Sequence, residues 1–172
     1  TLHGDLHVIR KAKSLYNAHK KESDELQRKR RLIAYAYAVA EENASGGEIV
    51  TAPTCGASGI IPSCLRTMLE AGISKDKLID GLAVAGLFGN LIKFNASISG
   101  AEAGCQAEVG SACSMASAMI AHVYGLSLDS IEQAAEIALE HHLGLTCDPI
   151  MGYVQIPCIE RNGFGALRAI DA

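Results

Sequence analysis

The chain has 172 residues, which is enough for one domain with its own hydrophobic core. Apolar residues make up 49% and charged residues 20%, a composition that excludes a disordered chain and is typical of a compact soluble protein. The net charge of −4 offers no field for nucleic acid, and no apolar run approaches the roughly 18 residues of a membrane span. We therefore predict one soluble domain over residues 1–172, without a nucleic-acid or membrane partner.

The six cysteines are the next compositional signal. No signal peptide opens the chain, so we expect a cytoplasmic protein whose cysteines are reduced or bind metal, not paired in disulfides. The chain begins at Thr1, and we expect it to be a processed or excised piece of a longer protein.

Helical periodicity dominates the chain from one end to the other. Predicted helices, in order, cover about 5–19, 25–43, 60–71, 78–94, 109–124, 127–141 and 159–172. Ser23, Ser74 and Ser127 are the expected caps, and Gly72 and Gly125 the expected stops. The glycine-rich helix over 78–94 is expected near the middle of a bundle, and residues 49–51 look extended. The fold class is all-α, a compact multi-helix domain with Gly- and Pro-rich site loops.

Two polar loops interrupt this pattern. The loop from Gly46 to Gly59 is rich in glycine and hydroxyl residues, so its backbone N–H groups can approach a small anion such as a carboxylate. A connecting loop with glycines for turn geometry is the alternative. A second polar loop, Asn95 to Gly104, lies within otherwise apolar surroundings.

Cys105 follows Gly104, Cys158 follows Pro157 and Cys147 stands two positions before Pro149, so we expect all three on non-helical backbone just outside flanking helices. They are 42 and 11 positions apart, which excludes a compact zinc-finger or ferredoxin run. Three thiolates would leave one corner of a [4Fe–4S] cube without protein sulfur, and an iron with an open position is a Lewis acid. The residues alone leave three alternatives open: such a cluster, a zinc ion, or unrelated reduced cysteines.

Several long strings of the sequence carry a family resemblance. They are E-E-N-A-S-G-G at 41–47, V-T-A-P-T at 50–54, G-I-I-P at 59–62, N-A-S-I-S-G-A-E at 95–102, G-C-Q at 104–106, E-V-G-S-A-C-S-M-A at 108–116, G-L-T-C-D-P at 144–149 and Q-I-P-C-I-E-R-N at 155–162. In this order they closely resemble the α region of bacterial iron–sulfur L-serine dehydratases. The resemblance covers about residues 32–172.

The resemblance implies that Cys105, Cys147 and Cys158 hold a [4Fe–4S] cluster whose fourth iron is free for substrate. The implied reaction belongs to amino-acid degradation and removes water from L-serine to give aminoacrylate, then an imine, and finally pyruvate and ammonia. No pyridoxal phosphate is implied. Cys113 is expected to pack in a helix, and Cys55 to lie beside the site without ligating.

The other site residues are hypotheses built on this reading. Candidates for holding the substrate carboxylate are Ser45, Gly46, Gly47, Thr51, Thr54, Asn95, Ser97 and Ser99. A buried polar loop that satisfies its own backbone would look the same. His141, His142 and Glu102 are candidates for the catalytic base or its hydrogen-bonding partner, although a histidine near a helix end is more often a cap on the dipole.

The family also carries a β region, fused or as a separate subunit, and no part of it is visible in this sequence. We therefore expect L-serine as ligand, a β subunit or β domain as partner, a homo- or hetero-oligomer, and no activity from the chain alone. Two other functions stay open: a sister lyase that eliminates a different group, such as sulfide from cysteine, and a non-catalytic zinc or redox-thiol module.

Overall fold

The computed structural model of the chain describes residues 1–18 and 21–172, and all regular structure in these ranges is helical. The helices are α1 (Ala12–Tyr16), α2 (Asp24–Ala44), α3 (Ile60–Glu70), α4 (Lys75–Asn95), α5 (Gly100–Ala103), α6 (Cys105–Val123), α7 (Leu128–Glu140) and α8 (Cys158–Asp171), with a short 3₁₀ helix at Ile150–Gly152. The all-α prediction is confirmed. Residues 49–51, expected to be extended, form no strand.

Helix α6 is the centre of the fold because its side chains are small. Of its 19 residues, 15 are buried, and most of these are alanine, serine, glycine or cysteine. Helices α3, α4, α5, α7 and α8 all contact it. Helix α2 packs on α8 and also contacts α1 and α3. The small side chains let the surrounding helices approach α6 closely, which brings the loops at its N-terminal end together.

Helix α4 lies at the periphery, so the prediction that it sits in the middle of the bundle is wrong. Its glycine face, with Gly81 and Gly89, packs on α6, while the opposite face is exposed and equally apolar. That exposed face carries Ile79, Leu82, Leu87, Leu91 and Phe94. By length and apolar composition alone α4 could cross a membrane, a property that core helices of soluble proteins share. The glycines of α4 were expected to allow close packing against other helices. This expectation is correct only for the face of α4 that packs on α6.

The N-terminal segment differs most from its prediction. The helix expected over 5–19 is reduced to α1, and His19 lies outside the described residues. Backbone with positive φ at Gly4 and His7 prevents a helix from starting earlier. The buried Glu41 of α2 then fixes the start of α1, because its Oε1 accepts from the N–H groups of Lys11 (2.6 Å) and Ala12 (3.1 Å). A side chain of another helix therefore caps α1.

Several other helix boundaries follow their local signals. The prediction is wrong for the start of α6, which lies at Cys105 and not at 109, and for part of the polar loop over Asn95 to Gly104, where α5 forms. Ser23, Ser74 and Ser127 cap α2, α4 and α7, each through a side-chain oxygen that accepts a backbone N–H of the first turn. Gly72 and Gly125 follow α3 and α6 with φ of +90° and +76°, a conformation that glycine adopts without strain. These predicted caps and stops are confirmed.

Candidate metal centre

The three cysteines singled out by the sequence come from three separate segments. Cys105 is the first residue of α6 and Cys158 the first residue of α8, whereas Cys147 lies in the loop after α7. The prediction of non-helical backbone is correct for Cys147 and wrong for the other two. The non-helical backbone ends one residue earlier than expected, at Gly104, which has φ +81°, and at Pro157. Each of these residues is the N-cap of the helix that its cysteine begins. A cysteine at a helix N-terminus meets the positive end of the helix dipole, which favours its thiolate form.

These segments meet at one cavity. Cys147 and Cys158 line a cavity of about 650 Å³ that also exposes the side chains of Thr54, Ser99 and Glu108. The buried Cys105 lies close enough to interact electrostatically with both other thiols. The fold therefore brings Cys147 and Cys158 to one cavity and places the buried Cys105 near them, although Cys105 is not part of the cavity lining.

Burial opposes ionisation of the two helix-terminal thiols. Burial first, and then the neighbouring Cys105, Glu108 and Cys147, raise the pKa of Cys158 to about 11. Burial also raises the pKa of Cys105, although a hydrogen bond from the guanidinium of Arg161 counteracts that rise. Metal binding requires thiolates, so a bound metal must displace protons from these two groups.

Arg161 is a site residue that sequence reasoning missed. It lies three positions after Cys158 on α8, and its Nη1 donates to the carbonyl oxygen of Thr146 at 2.7 Å. The same guanidinium reaches Cys105. Its positive charge counteracts the rise in the pKa of both Cys105 and Cys158, and its hydrogen bond to Thr146 holds α8 to the loop of Cys147. The R of the string Q-I-P-C-I-E-R-N was the available signal.

Glu108 is a second residue that was missed. It stands three positions after Cys105 on α6, which places both side chains on one face of the helix. Its Oε1 accepts a hydrogen bond from Thr54 Oγ1 at 2.6 Å. The spacing from Cys105 could have identified it, but the contact with Thr54 spans 54 positions of the chain.

Asn162 joins the loop of Thr54 to the first turn of α8. Its buried Oδ1 accepts from the Gly59 N–H at 2.8 Å, and its Nδ2 donates to the carbonyl oxygens of Gly56 at 2.7 Å and Cys158 at 2.9 Å. All the polar atoms of this amide are therefore used. The arrangement fixes one wall of the cavity relative to Cys158.

The residues predicted to hold the substrate carboxylate are only partly brought together. Thr54 and Ser99 line the cavity. Ser45, Gly46 and Gly47 directly follow Asn43 and Ala44, which line it at the C-terminal end of α2. The Ser45 hydroxyl donates to the carbonyl oxygen of Glu41 at 2.8 Å and accepts from Arg10.

Like Ser45, Gly46 and Gly47, the other three predicted carboxylate ligands are not among the residues that line the cavity. Thr51 is exposed. Asn95 donates to the carbonyl oxygen of Leu91 at 2.8 Å, and Ser97 donates to Glu102 at 2.5 Å. The substrate role of all eight residues stays a prediction.

The three candidates for the catalytic base also lie outside the cavity lining. His141 is exposed and its Nδ1 is 2.9 Å from the carbonyl oxygen of Ile137. His142 is buried, and its Nδ1 is 2.7 Å from the carbonyl oxygen of Ala138. Burial lowers the pKa of His142, so its ring is neutral at pH 7. Glu102 is exposed and accepts a hydrogen bond from Ser97. A role as base for any of these three side chains stays a prediction.

The remaining cysteines divide into two kinds. Cys113 and Cys64 are buried, and their thiols donate to the carbonyl oxygens of Gly165 and Ala166. Burial raises the pKa of both, that of Cys64 to about 12, which suits packing and not ligation. Cys55 is exposed and lines the same cavity as Cys147.

The donor set fits an iron–sulfur cluster. Among the described residues, no three His, Cys, Asp or Glu side chains converge to hold a single metal ion. A cluster needs no such convergence, because each thiolate binds a different iron and the ligands surround the cube. Two soft sulfur donors in the cavity wall, with a third thiol near both, suit such a cluster better than a single metal ion.

The chain is similar in sequence to known proteins of one family. The serine dehydratase alpha chain family matches residues 1–172. An L-serine dehydratase of Streptomyces coelicolor is 57% identical over 143 residues, which cover 82% of this chain and 31% of that protein. For an L-serine dehydratase of Haemophilus influenzae the identity is 51% over 177 residues, 99% of this chain and 39% of that protein. For L-serine dehydratase 2 of Escherichia coli the identity is 55% over 140 residues, which cover 80% of this chain and 31% of that protein. The chain thus spans between 31% and 39% of the length of these relatives.

Proposed function

The chain belongs to the serine dehydratase alpha chain family, and on that premise we propose that it is the cluster-binding region of an iron–sulfur L-serine dehydratase. The protein as a whole would convert L-serine to pyruvate and ammonia without pyridoxal phosphate. The observation that carries this proposal is that Cys147 and Cys158 line one cavity of about 650 Å³ and that the buried Cys105, from a third segment, lies near both thiols.

The three thiolates would hold a [4Fe–4S] cluster. When bound, the cluster would supply a Lewis-acidic iron without a protein thiolate, which makes the serine hydroxyl a better leaving group. Arg161 would stabilise the anionic ligand set through its hydrogen bond to Cys105. Asn162 would hold Cys158 in a fixed position relative to the loop of Thr54.

The cavity walls suit a small polar ligand. Its volume lies within the usual range for small-molecule sites, and Thr54 and Ser99 offer hydroxyl groups on two of its sides. The backbone N–H groups of Ser45, Gly46 and Gly47 already donate to carbonyl oxygens of α2, so a hydroxyl group of the cavity wall, such as that of Ser99, would bind the substrate carboxylate. Since His141, His142 and Glu102 lie outside the lining, we propose that the group that removes the Cα proton comes from the β region.

Anaerobic reconstitution of the full-length protein with iron and sulfide tests this function. The reconstituted protein should be brown, should form 2-oxo acid from L-serine, and should lose both properties in air, because an iron without a thiolate is easily lost. The 172-residue chain alone should form no pyruvate. A fully loaded protein that releases sulfide from cysteine but leaves serine unchanged would contradict the proposal in favour of a sister lyase.

A further inference from the structure

One carboxylate of the cavity has no part in the cysteine ligand set. Glu108 lies in the first turn of α6, is half-buried, and borders the cavity beside Cys147 and Cys158. Its hydrogen-bond partner is the hydroxyl of Thr54, at 2.6 Å. None of the salt bridges among residues 1–18 and 21–172 includes Glu108. A partly desolvated carboxylate therefore faces the cavity without a cationic partner.

Two loops leave room for this carboxylate. A Cβ at Gly56 would lie 2.5 Å from Glu108 Oε1, and a Cβ at Gly100 would lie 2.6 Å from its Oε2. The same Cβ at Gly100 would be 3.6 Å from Cys147 Sγ. Glycine at both positions thus permits Glu108 to extend to the middle of the cavity, next to a proposed iron ligand.

The position of Glu108 is unfavourable for metal binding taken alone. Its carboxylate borders the cavity beside Cys147 and Cys158, so its negative charge adds to the repulsion among the thiolates that would hold a cluster. Arg161, the cation nearest those thiols, is engaged by Thr146 and Cys105. A ligand that brings a positive charge into the cavity would compensate this repulsion, and a free amino acid carries such a charge on its α-ammonium group.

We propose that Glu108 binds the α-ammonium group of the amino-acid substrate, with Thr54 orienting the carboxylate. This inference rests on the proposed function and assigns the residue that selects amino acids as the substrate class. A charge-assisted hydrogen bond in a cavity with little water is stronger than one in solution. A hydroxy acid of the same length without the amine, such as 3-hydroxypropanoate, would leave the half-buried carboxylate of Glu108 without a cationic partner and would bind poorly.

The test uses full-length, cluster-loaded enzyme with Glu108→Gln, which keeps the size of the side chain and removes its charge. We expect KM for L-serine to rise about 10- to 100-fold, the loss of one hydrogen bond between charged groups, with kcat changed only a few-fold. Binding of L-serine and of 3-hydroxypropanoate is followed through the visible and EPR spectra of the cluster. Affinity for L-serine should fall, affinity for 3-hydroxypropanoate should hold or rise, and Glu136→Gln on α7 should match wild type.

Thr54→Val provides a second variant if Glu108→Gln folds poorly. It removes the orienting hydrogen bond, so it should shift the preference between the two ligands in the same direction by a smaller factor. Equal loss of affinity for both ligands, unchanged affinity for L-serine, or an altered iron content or ligand-free spectrum in Glu108→Gln would overturn the inference. Because the binding comparison needs no turnover, a loaded wild-type enzyme that does not act on serine would overturn the proposed function instead.

Discussion

Buried polar side chains with partners far away in sequence decide how the cavity is built. Asn162 and Glu41 each accept or donate hydrogen bonds across more than 25 positions, and each closes a contact between two segments. The sequence led to Cys105, Cys147 and Cys158 because glycine and proline next to a cysteine are local signals. It did not lead to Glu108 or Asn162, because the value of a polar side chain depends on partners that only the fold supplies.

Asn162→Asp should destabilise the chain and its cysteine site together. An aspartate can accept from the Gly59 N–H but cannot donate to the carbonyl oxygens of Gly56 and Cys158, so two buried acceptors lose their partner. We expect the free energy of unfolding to fall by about 2–4 kcal/mol. Urea unfolding measures it, with the exposed Asn90→Asp as control, expected within about 0.5 kcal/mol of wild type. Equal stability of the two variants would show that the amide does not hold the wall of the cavity.

His142 should make stability depend on pH below neutrality. Its pKa is lowered in the folded chain by burial, whereas the unfolded chain has the ordinary value of about 6.5. Above about pH 6.5 the ring is neutral in both states. As pH falls below that value only the unfolded state gains the proton, so stability is lost, by at most about 1.4 kcal/mol per pH unit, until the folded pKa is reached.

The His142→Gln variant tests this dependence. It should show a smaller decrease in unfolding free energy between pH 7.5 and pH 5.5 than wild type, whatever its stability at neutral pH. The exposed neighbour His141 provides the control, and His141→Gln should keep the wild-type slope. A wild-type slope in His142→Gln would mean that other groups account for the acid sensitivity.

The helices show which parts of the fold are encoded locally. Serine caps and glycine stops set most boundaries within one turn, so the helices from α2 to α8 that the sequence predicted could be placed without knowledge of their neighbours. Helix α1 could not, because Glu41 of α2 provides its cap. The peripheral place of α4 also could not, since a helix that is apolar on all sides gives no signal of which face packs.

The two faces of α4 should respond in opposite ways to the same substitution. A Cβ at Gly86 meets open space, so Gly86→Ala should stabilise the helix by up to about 1 kcal/mol through helix propensity. A Cβ at Gly81 would lie 2.6 Å from Val123 Cγ2 and 3.0 Å from Met119 Cγ, so Gly81→Ala should cost about 1–3 kcal/mol. Thermal unfolding of the matched pair checks both signs, and stabilisation by Gly81→Ala would contradict the packing of α4 on α6.

At the scale of the whole molecule, the ends of several helices and the loops beside them surround one cavity. Small residues in α6 let the neighbouring helices close in, and this packing brings the N-terminal ends of α6 and α8 and the loop of Cys147 together. The all-α class could be predicted because helical periodicity is in the sequence, and the family strings led to the three cysteines, whose role as ligands stays a proposal. The cavity walls, the tie through Asn162 and the carboxylate of Glu108 could not be predicted, because they arise from contacts between segments 54 to 106 positions apart.

The ligand set is the central claim, and the iron content of single cysteine variants tests it most directly. After anaerobic reconstitution of the full-length protein, wild type and the Ser variants of Cys55, Cys64 and Cys113 should each retain about four irons per chain with the same EPR signal. Separate replacement of Cys105, Cys147 and Cys158 by Ser should lose most of the iron and sulfide. Full iron content in any of these last three variants, or loss of the cluster from one of the others, would contradict the account.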